Sequence, residues 1–571
     1  MSPQFAGDGT TRQVIVIVEP EIGLRSETNG IRSATGADIS SLSAVLANDS
    51  ITLEPLFGQS EERLRSATAN LAEETSEPVP DLSVYYQAIV PAERAEAVAE
   101  QIRNQPGVAG AYVQPQMGLP FELNAMAPTQ QATPPITPSF VLRQNYLDPA
   151  PVGIDTAYAW SLAGGRGAGV RVIDIEGGWR FSHEDLLQNA GGLIGGVQST
   201  DLGWRNHGTA VLGEIGGDAN AIGVTGIAPD ANCRAVSVFR DASFTYNLPQ
   251  ALVQAANSLS PGDIILIEQQ YGHPTRGWTT VEWWPAEFDA IRYAVTRGII
   301  VVEAAANGGN NLDDPVYNTP LAGFPASWTN PFNRANRDSG AVVVGAGNPP
   351  AGTHGRNSQP NTGEPYVDRA RCGFSNFGAM VDVQGWGWEV TTSGYGDLQG
   401  GSSEDTWYTD QFSGTSSASP IVVGALACVQ GVLRAAGRIP LSPARARELL
   451  RSTGSPQQAA TGRPVTQRIG NRPNLRQLIP AALQQSSWTG TQFTGTVPAN
   501  QTICWFTFNW PAHWHVLWTV VPTSPFSNAP QVTWKVRVTR SSDRFITYWI
   551  CVTNLTNQPV NIEGRFAVLG W

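Results

Sequence analysis

The sequence has few of the residues on which metal-binding and nucleic-acid-binding proteins depend. Its 571 residues include five cysteines and six histidines, and Lys535 is the only lysine. No two cysteines are spaced as C-x-x-C, which argues against a zinc site built on cysteine. The formal net charge is −12, which argues against nucleic acid or an anionic membrane as a main partner.

The sequence also lacks an uninterrupted apolar run of membrane-spanning length. The nearest candidate follows Pro420, but Gly424 and Gln430 interrupt it, so we interpret it as a buried core helix. Residues 1–12 lack the basic start and apolar centre of a signal peptide, which predicts that such a segment is absent or has been removed. Hydrophobic residues make up 41% and charged residues 15%, which is typical of a globular chain, and the length predicts two to four domains.

The cysteines are too few for a disulfide scaffold. Cys504 and Cys551 lie in one β-rich segment and can pair. Cys233, Cys372 and Cys428 are scattered through the middle of the chain, which favours buried free thiols.

The pattern of apolar residues divides the chain into four segments. Residues 1–114 alternate short strands and helices, which predicts a small α+β domain. Residues 115–144 carry repeated prolines and are predicted to form an extended linker that a protease can reach. Residues 145–485 predict a larger α/β domain, and residues 486–571 alternate with period two, which predicts an antiparallel β-sandwich or jelly roll.

The α/β segment is predicted to form a doubly wound, mainly parallel sheet. Continuous apolar runs, which suit parallel strands buried on both faces, occur at 170–175, 264–267, 299–304 and 341–345. Helical patterns lie between these runs. Sheets of this kind place their functional loops at the carboxyl ends of the strands.

Tryptophan is concentrated at the carboxyl-terminal end of the chain, where seven of the 18 tryptophans fall in the last 71 residues. An aromatic surface there can bind a carbohydrate or cover the α/β domain. We favour a small sandwich that fills its core with large aromatic residues.

Four polar residues stand where the predicted strands end or the helices begin. Asp174 ends the first strand, His207 precedes a helix of small residues, Asn307 follows a strand beside two glycines, and Ser416 lies between a glycine turn and a helix. Each has a structural alternative when taken alone, because such residues also cap helices and form turns.

Together the four segments resemble those of the subtilisin-like serine peptidases (subtilases). The matching motifs are Val-Ile-Asp174, His207-Gly-Thr-x-Val-x-Gly and Gly414-Thr-Ser416-x-Ala-x-Pro420, with an oxyanion segment at Asn307. The order Asp, His, Ser is that of the family.

The resemblance implies a serine endopeptidase that needs no cofactor for its chemistry. Asp174 is expected to orient His207, which takes the proton from Ser416 and passes it to the leaving amine. Asn307 and the backbone N–H of Ser416 are expected to hold the oxyanion.

The resemblance also leaves structural calcium open. Asp313 and Asp314 lie in an oxygen-rich loop near Asn307 and are the candidate ligands, although a solvated turn is the favoured interpretation.

Two segments depart from the family pattern. Ile175 and Glu176 follow Asp174, where the family has Ser or Thr and then Gly. Asp174 and Glu176 share one face of a strand, so Glu176 can modulate the site, but we favour a surface or capping role for it. The substrate-strand segment reads Ile267-Glu-Gln-Gln270 instead of Ser-Leu-Gly, so substrate preference cannot be transferred from the family.

The family gives the flanking segments a meaning as well. Residues 1–114 resemble a propeptide, which predicts a zymogen that cleaves itself within residues 113–140. Secretion is the habit of the family, which implies a place in the extracellular space or the periplasm. Its partners are then protein or peptide substrates and its own propeptide-like domain. Two alternatives remain: a self-processing peptidase that acts on one partner, and a non-catalytic adhesion or binding protein that uses the Trp-rich tail.

Overall fold

The structure is a computed structural model of the chain. It describes residues 10–28, 30–75, 78–119, 136–188, 190–360, 362–484, 488–512, 514–524, 529–542 and 545–569. The chain divides into two compact units, one of residues 1–432 with 441–479 and one of residues 433–440 with 480–571. Most of the predicted linker, residues 120–135, lies outside the described residues.

The amino-terminal part of the first unit is an antiparallel sheet with helices, as the sequence predicts. Its strands are β1 (Thr11–Val18), β2 (Leu24–Glu27), β3 (Gly30–Ser33), β4 (Glu54–Pro55), β5 (Tyr85–Pro91) and β6 (Val108–Val113). Its helices are α1 (Ser40–Asn48), α2 (Glu61–Thr75) and α3 (Ala95–Arg103). The sheet order is β4-β5-β1-β6, and β2 pairs only with β3. A short strand, β7 (Met117–Gly118), follows within the predicted linker.

The rest of the first unit is built around a seven-stranded parallel sheet. Its elements are α4 (Thr156–Trp160), β8 (Arg171–Glu176), β9 (Ala190–Gly195), α5 (Leu202–Gly216), β10 (Asn232–Ser237), α6 (Leu248–Ser258), β11 (Ile264–Ile267), β12 (Gln270–His273), β13 (Gly277–Thr279), α7 (Pro285–Thr296), β14 (Ile300–Ala304), β15 (Val342–Gly347), β16 (Val383–Trp386), β17 (Val390–Ser393), β18 (Tyr408–Phe412), α8 (Thr415–Ala435), α9 (Pro443–Ser452) and α10 (Leu475–Leu483). The sheet order is β16-β15-β14-β11-β8-β10-β9, and neighbouring strands run parallel. This is the doubly wound α/β fold that the apolar runs predict.

Two helices begin earlier than their sequence patterns indicate. Helix α5 begins at Leu202 because the side chain of Asp201 accepts a hydrogen bond from the Trp204 N–H and caps it, so His207 lies inside the helix rather than before it. Helix α8 begins at Thr415. Gly414 directly precedes it and ends the loop with a φ of 97°, a conformation that favours glycine. Among the described helices, α8 alone is long and apolar enough to cross a membrane, and it is buried in the fold.

The second unit is an antiparallel sandwich of two three-stranded sheets. Its strands are β19 (Trp488–Val497), β20 (Thr502–Pro511), β21 (Val516–Pro522), β22 (Val532–Arg540), β23 (Phe545–Asn554) and β24 (Val560–Val568), in the orders β19-β24-β21 and β20-β23-β22. The predicted disulfide between Cys504 and Cys551 joins β20 to β23, and the other three cysteines are buried and unbridged. Aromatic residues of this unit lie both in its core and on its surface. Trp510 lies in the core, whereas Phe506 and Trp549 lie on the exposed face.

Candidate active site

Three neighbouring strands of the parallel sheet place polar residues at the same edge. Strand β8 ends at Glu176, β11 is followed directly by Glu268, and β14 is followed by the loop that carries Asn307. Because β8, β11 and β14 are adjacent and parallel, their carboxyl ends meet. Helices α5 and α8 bring His207 and Ser416 to this edge.

The imidazole of His207 is held by a carboxyl group on β8. The distance from His207 Nδ1 to Glu176 Oε2 is 2.7 Å, and both side chains are fully buried. Helix α5 approaches the loop after β8 closely at Gly208, where a Cβ atom would lie only 2.4 Å from the Gly178 carbonyl oxygen. The glycine after His207 therefore permits the contact with Glu176.

Asp174 does not make the contact predicted for it. Its Oδ2 accepts a hydrogen bond of 2.7 Å from the indole N–H of Trp179, and its carboxyl group also hydrogen bonds to that of Glu176. The orienting contact with His207 belongs instead to Glu176, which replaces the surface or capping role expected for that residue. The physical reason is the position along the strand: Glu176 is the last residue of β8, and its side chain contacts His207 on α5.

Ser416 is fully buried in the first turn of α8, where the backbone N–H groups have no partner within the helix. The segment that leads to it packs against the histidine: the rings of Phe412 and His207 lie 5.4 Å apart, edge to face. Strand β17 ties the two regions together, because Ser393 Oγ donates to the Thr209 carbonyl of α5 while β17 pairs with β18. The Ser416 side chain hydrogen bonds to Glu268.

Asn307 is fixed beside Ser416 by its amide oxygen, which leaves its NH₂ group available as a donor. Its Oδ1 accepts hydrogen bonds from the backbone N–H of Thr415 at 3.0 Å and from Thr415 Oγ1 at 2.9 Å. These two donors identify the oxygen of the amide, so the other atom is the NH₂ group. Asn307 Nδ2 is buried and has no hydrogen-bond partner within the described part of the chain. A buried, unpaired N–H donor next to Ser416 can serve a developing oxyanion.

Burial shifts the pKa values of this cluster toward uncharged forms. It lowers the pKa of His207 to about 3, so the imidazole is neutral near pH 7 and can accept a proton. Burial raises the pKa of Glu176 well above its usual value, while the hydrogen bond from Asp174 acts in the opposite direction. Burial, and then the neighbouring Glu176, raise the pKa of Asp174 well above its usual value.

The two candidate calcium ligands already have partners. Asp314 Oδ2 accepts from Arg276 Nη2 at 2.8 Å, and its Oδ1 accepts from the Val316 N–H. Both carboxylate oxygens of Asp313 accept from the Ala379 N–H at 3.0 Å. The described residues contain no group of three or more His, Cys, Asp or Glu side chains arranged to hold a metal ion. These hydrogen bonds agree with the favoured turn, and calcium at Asp313 and Asp314 stays a prediction.

The segment that leaves the amino-terminal sheet lies along the edge of this site. Strand β7 pairs antiparallel with β12, which follows Glu268, and the Gly272 N–H donates to the Gln116 carbonyl at 2.7 Å. The Gln270 side chain bridges the two elements: its Nε2 donates to the Leu119 carbonyl at 2.7 Å, and its Oε1 accepts from the Asn307 N–H at 2.9 Å. Leu119 and Asn307 are thus joined through a single side chain, that of Gln270.

Two residues of this site escape the sequence motifs. The aspartate motif indicates Asp174 and leaves Glu176 without a catalytic role. However, Gly178 follows Glu176 by two residues, which matches the spacing of acid and glycine in the family motif. Glu268 carries no motif at all, since it stands where the family has a serine. Asn307 contacts Thr415, the residue before Ser416, and His207 packs against Phe412 in the segment that leads to Ser416.

Known proteins resemble the chain over its central segment. The subtilase family model of serine peptidases matches residues 194–474, about half of the chain. Subtilisin DY of Bacillus licheniformis is 28% identical over 269 residues, which cover 47% of this chain and 78% of that protein. Subtilisin NAT of Bacillus subtilis subsp. natto is 26% identical over 292 residues, which cover 50% of this chain and 63% of that protein.

Among solved structures, fervidolysin from Fervidobacterium pennivorans, a keratinolytic enzyme related to subtilisin, aligns with 99% of this chain and 70% of its own, at a TM-score of 0.47 and 16% identity. The family match begins after β8 and so does not include the carboxyl groups of that strand. The match spans His207, Asn307 and Ser416. The central segment of the chain, residues 194–474, belongs to the subtilisin-like serine peptidase family.

Proposed function

We propose that the chain is a serine endopeptidase that hydrolyses peptide bonds through an acyl-enzyme on Ser416. The observation that carries this proposal is Asn307, whose amide oxygen is anchored on Thr415 while its NH₂ group is buried and has no partner among the described residues. A buried donor without a partner is costly unless a ligand uses it, and a tetrahedral oxyanion is such a ligand.

In the proposed reaction, Ser416 Oγ attacks the peptide carbonyl carbon while His207 takes the serine proton. Glu176 stabilises the imidazolium, since its Oε2 accepts from Nδ1. The imidazolium then protonates the leaving amine, and the peptide C–N bond breaks. A water molecule repeats the attack with His207 again as base, which releases the acid product and restores the serine.

We further propose that the chain is a zymogen that processes itself. Pairing of β7 with β12 supports this, because an extended segment added to a strand beside the site occupies the place of a substrate. Gln270 couples the described end of that segment, Leu119, to Asn307. Leu119 lies in the predicted cleavage range, 113–140, and residues 120–135 of that range lie outside the described residues.

Labelling with a fluorophosphonate tests the activity. We expect a covalent adduct on Ser416 in the processed protein, mapped by mass spectrometry, and none in Ser416→Ala. Processing is followed in the same pair: wild type is expected to be cut while Ser416→Ala stays intact. Absence of the adduct would favour a non-catalytic binding protein, and equal processing of both chains would contradict self-cleavage.

The contact between β7 and β12 also favours a second candidate, a peptidase of narrow specificity that acts on itself or on one partner. Digestion of casein by the processed chain separates the two. Broad cleavage supports the general endopeptidase, whereas labelling of Ser416 without casein cleavage supports the narrow one.

A further inference from the structure

A third carboxyl group lies at the nucleophile. Glu268 follows β11 directly, is fully buried, and hydrogen bonds to the side chains of Ser416 and Ser419 in the first turns of α8. The proton transfers between Ser416, His207 and Glu176 make no use of this contact.

Both contacts of Ser419 are satisfied as hydrogen bonds when Glu268 carries a proton. Ser419 Oγ lies 2.8 Å from the Thr415 carbonyl oxygen and within hydrogen-bond distance of Glu268 Oε1. A hydroxyl group has a single proton, and a backbone carbonyl can only accept. If Ser419 donates to Thr415, the carboxyl group of Glu268 must supply the proton for the second contact.

The surroundings of Glu268 favour the same protonation state. Other carboxyl groups face it from two elements, Asp174 and Glu176 from β8 and Glu214 from α5, and Ser416 and Ser419 face it from α8. In the described part of the chain no arginine or lysine side chain forms an ion pair with it. Burial, followed by the negative neighbours, raises the pKa of Glu268 well above its usual value.

We propose that Glu268 is a neutral hydrogen-bonding partner of the nucleophile, and that its ionisation at rising pH switches the active site off. This inference rests on the proposed function of Ser416. A protonated Glu268 fixes the serine side chain without adding charge. An ionised Glu268 places a negative charge beside the oxyanion that forms at Ser416 and Asn307, and a buried like charge opposes the transition state.

The substitution Glu268→Gln tests this, since glutamine keeps the shape and the N–H donor of the protonated acid but cannot ionise. The rate of fluorophosphonate labelling of Ser416 is measured on processed protein from about pH 6 to 10, the range in which a strongly buried glutamate ionises. We expect the wild-type rate to fall about tenfold per pH unit beyond the ionisation, and the Glu268→Gln rate to stay level there.

Two further variants make the result specific. Glu303→Gln makes the same change in a buried carboxyl group on β14 that accepts from the Val281 N–H and does not contact the serine, so its pH profile is expected to match wild type. Glu268→Ala removes the hydrogen bonds to both serines and is expected to label slowly at every pH, while Glu268→Gln labels at the wild-type rate near pH 6.

The outcomes separate this inference from the proposed function. If wild type is not labelled at any pH, the proposed function fails. If wild type is labelled but Glu268→Gln has the same alkaline profile, or is as slow as Glu268→Ala near pH 6, the role of Glu268 is overturned. Circular dichroism at each pH shows that the compared proteins remain folded.

Discussion

Asp174 and Glu176 lie two residues apart on β8 and face the same side of the strand, but they have different partners. Asp174 receives the indole N–H of Trp179, and Glu176 contacts His207. Asp174 Oδ1 and Glu176 Oε1 are buried and receive no donor from the described residues, and the two carboxyl groups can share a hydrogen bond only if one is protonated. We therefore expect the pair to share one proton near pH 7, which leaves a single negative charge behind the histidine.

At the same scale, Asn307→Ala is predicted to lower kcat about 10²–10³-fold with little change in KM, because the side chain donates only to the oxyanion. The matched control is Asn310→Ala, which removes an amide three residues away that donates to the Arg276 and Trp278 carbonyls. Steady-state kinetics on a peptide substrate check both. Equal losses in the two variants would show that the loop, not the Asn307 donor, matters.

Sequence motifs predict His207, Asn307 and Ser416 because each stands beside glycine or small residues that leave a visible pattern. The motifs do not show which of the two acids on one face of β8, Asp174 or Glu176, contacts the histidine. That choice depends on where β8 ends relative to α5, a packing distance that no local pattern encodes. The roles of Glu176 and Glu268 thus depend on tertiary contacts between separate elements.

At the scale of elements, β7 is predicted to present the processing segment to the site. A side chain at Gly118 would meet the ring of Trp278 on β13, since a Cβ atom there would lie 3.0 Å from it. Gly118→Val is therefore expected to slow processing several-fold by disturbing the pairing of β7 with β12. Time courses of the processed band on a gel measure the rate.

Ala97→Val is the matched control, because it also introduces a valine, but on the exposed face of α3. It is expected to process at the wild-type rate. Once processed, all three proteins are expected to have equal kcat, since neither substitution lies in the catalytic part. Normal processing of Gly118→Val would contradict substrate-like docking of β7.

Elements with strong local sequence patterns have the bounds that the sequence predicts. Elements whose ends are set by contacts with distant residues do not. Strand β11 spans Ile264–Ile267 as the apolar run predicts. Helix α8 instead begins five residues before the predicted start at Pro420. Proline suits an early helical turn, so it indicated a boundary, whereas the actual start is set by the glycine turn and by the Asn307 contact with Thr415.

At the scale of the whole molecule, the amino-terminal sheet packs on the α/β part through buried carboxyl groups. Glu287 on α7 accepts from Tyr271 at 3.0 Å and from Gln114 Nε2 at 3.5 Å, and Tyr85 of β5 donates to Asp289. Burial raises the pKa of Glu287 from 4.5 to about 7. This arrangement ties the stability of the intact chain to pH.

Because folding holds the Glu287 proton more tightly, its contribution to stability is complete below about pH 4.5 and is lost as pH rises to about 7. Over this range we predict that the free energy of unfolding of the chain with Glu287 falls by up to about 3 kcal/mol. Glu287→Gln is predicted to abolish this fall. Urea unfolding of the Ser416→Ala chain, with and without Glu287→Gln, measures it. Glu93→Gln, on the exposed surface, is the control expected to change nothing.

The composition of the sequence predicts where the segments begin and end. It does not predict which segments pack together into one compact unit. Period-two alternation predicts the sandwich of the second unit and the pairing of β22 with β23. The amino-terminal and central segments read as separate domains, yet they form one compact unit. The buried side chains that join them, such as Tyr85 and Glu287, come from distant parts of the chain and leave no local pattern.

The central claim is that Glu176, rather than Asp174, supports His207 in activating Ser416. It is tested most directly by kcat of processed Glu176→Gln and Asp174→Asn on one peptide substrate. We predict a loss of about 10⁴-fold for Glu176→Gln, as expected when the orienting carboxylate is lost, and a loss within about tenfold for Asp174→Asn, which keeps a donor to Glu176. The reverse order, with Asp174→Asn crippled and Glu176→Gln active, would contradict the account.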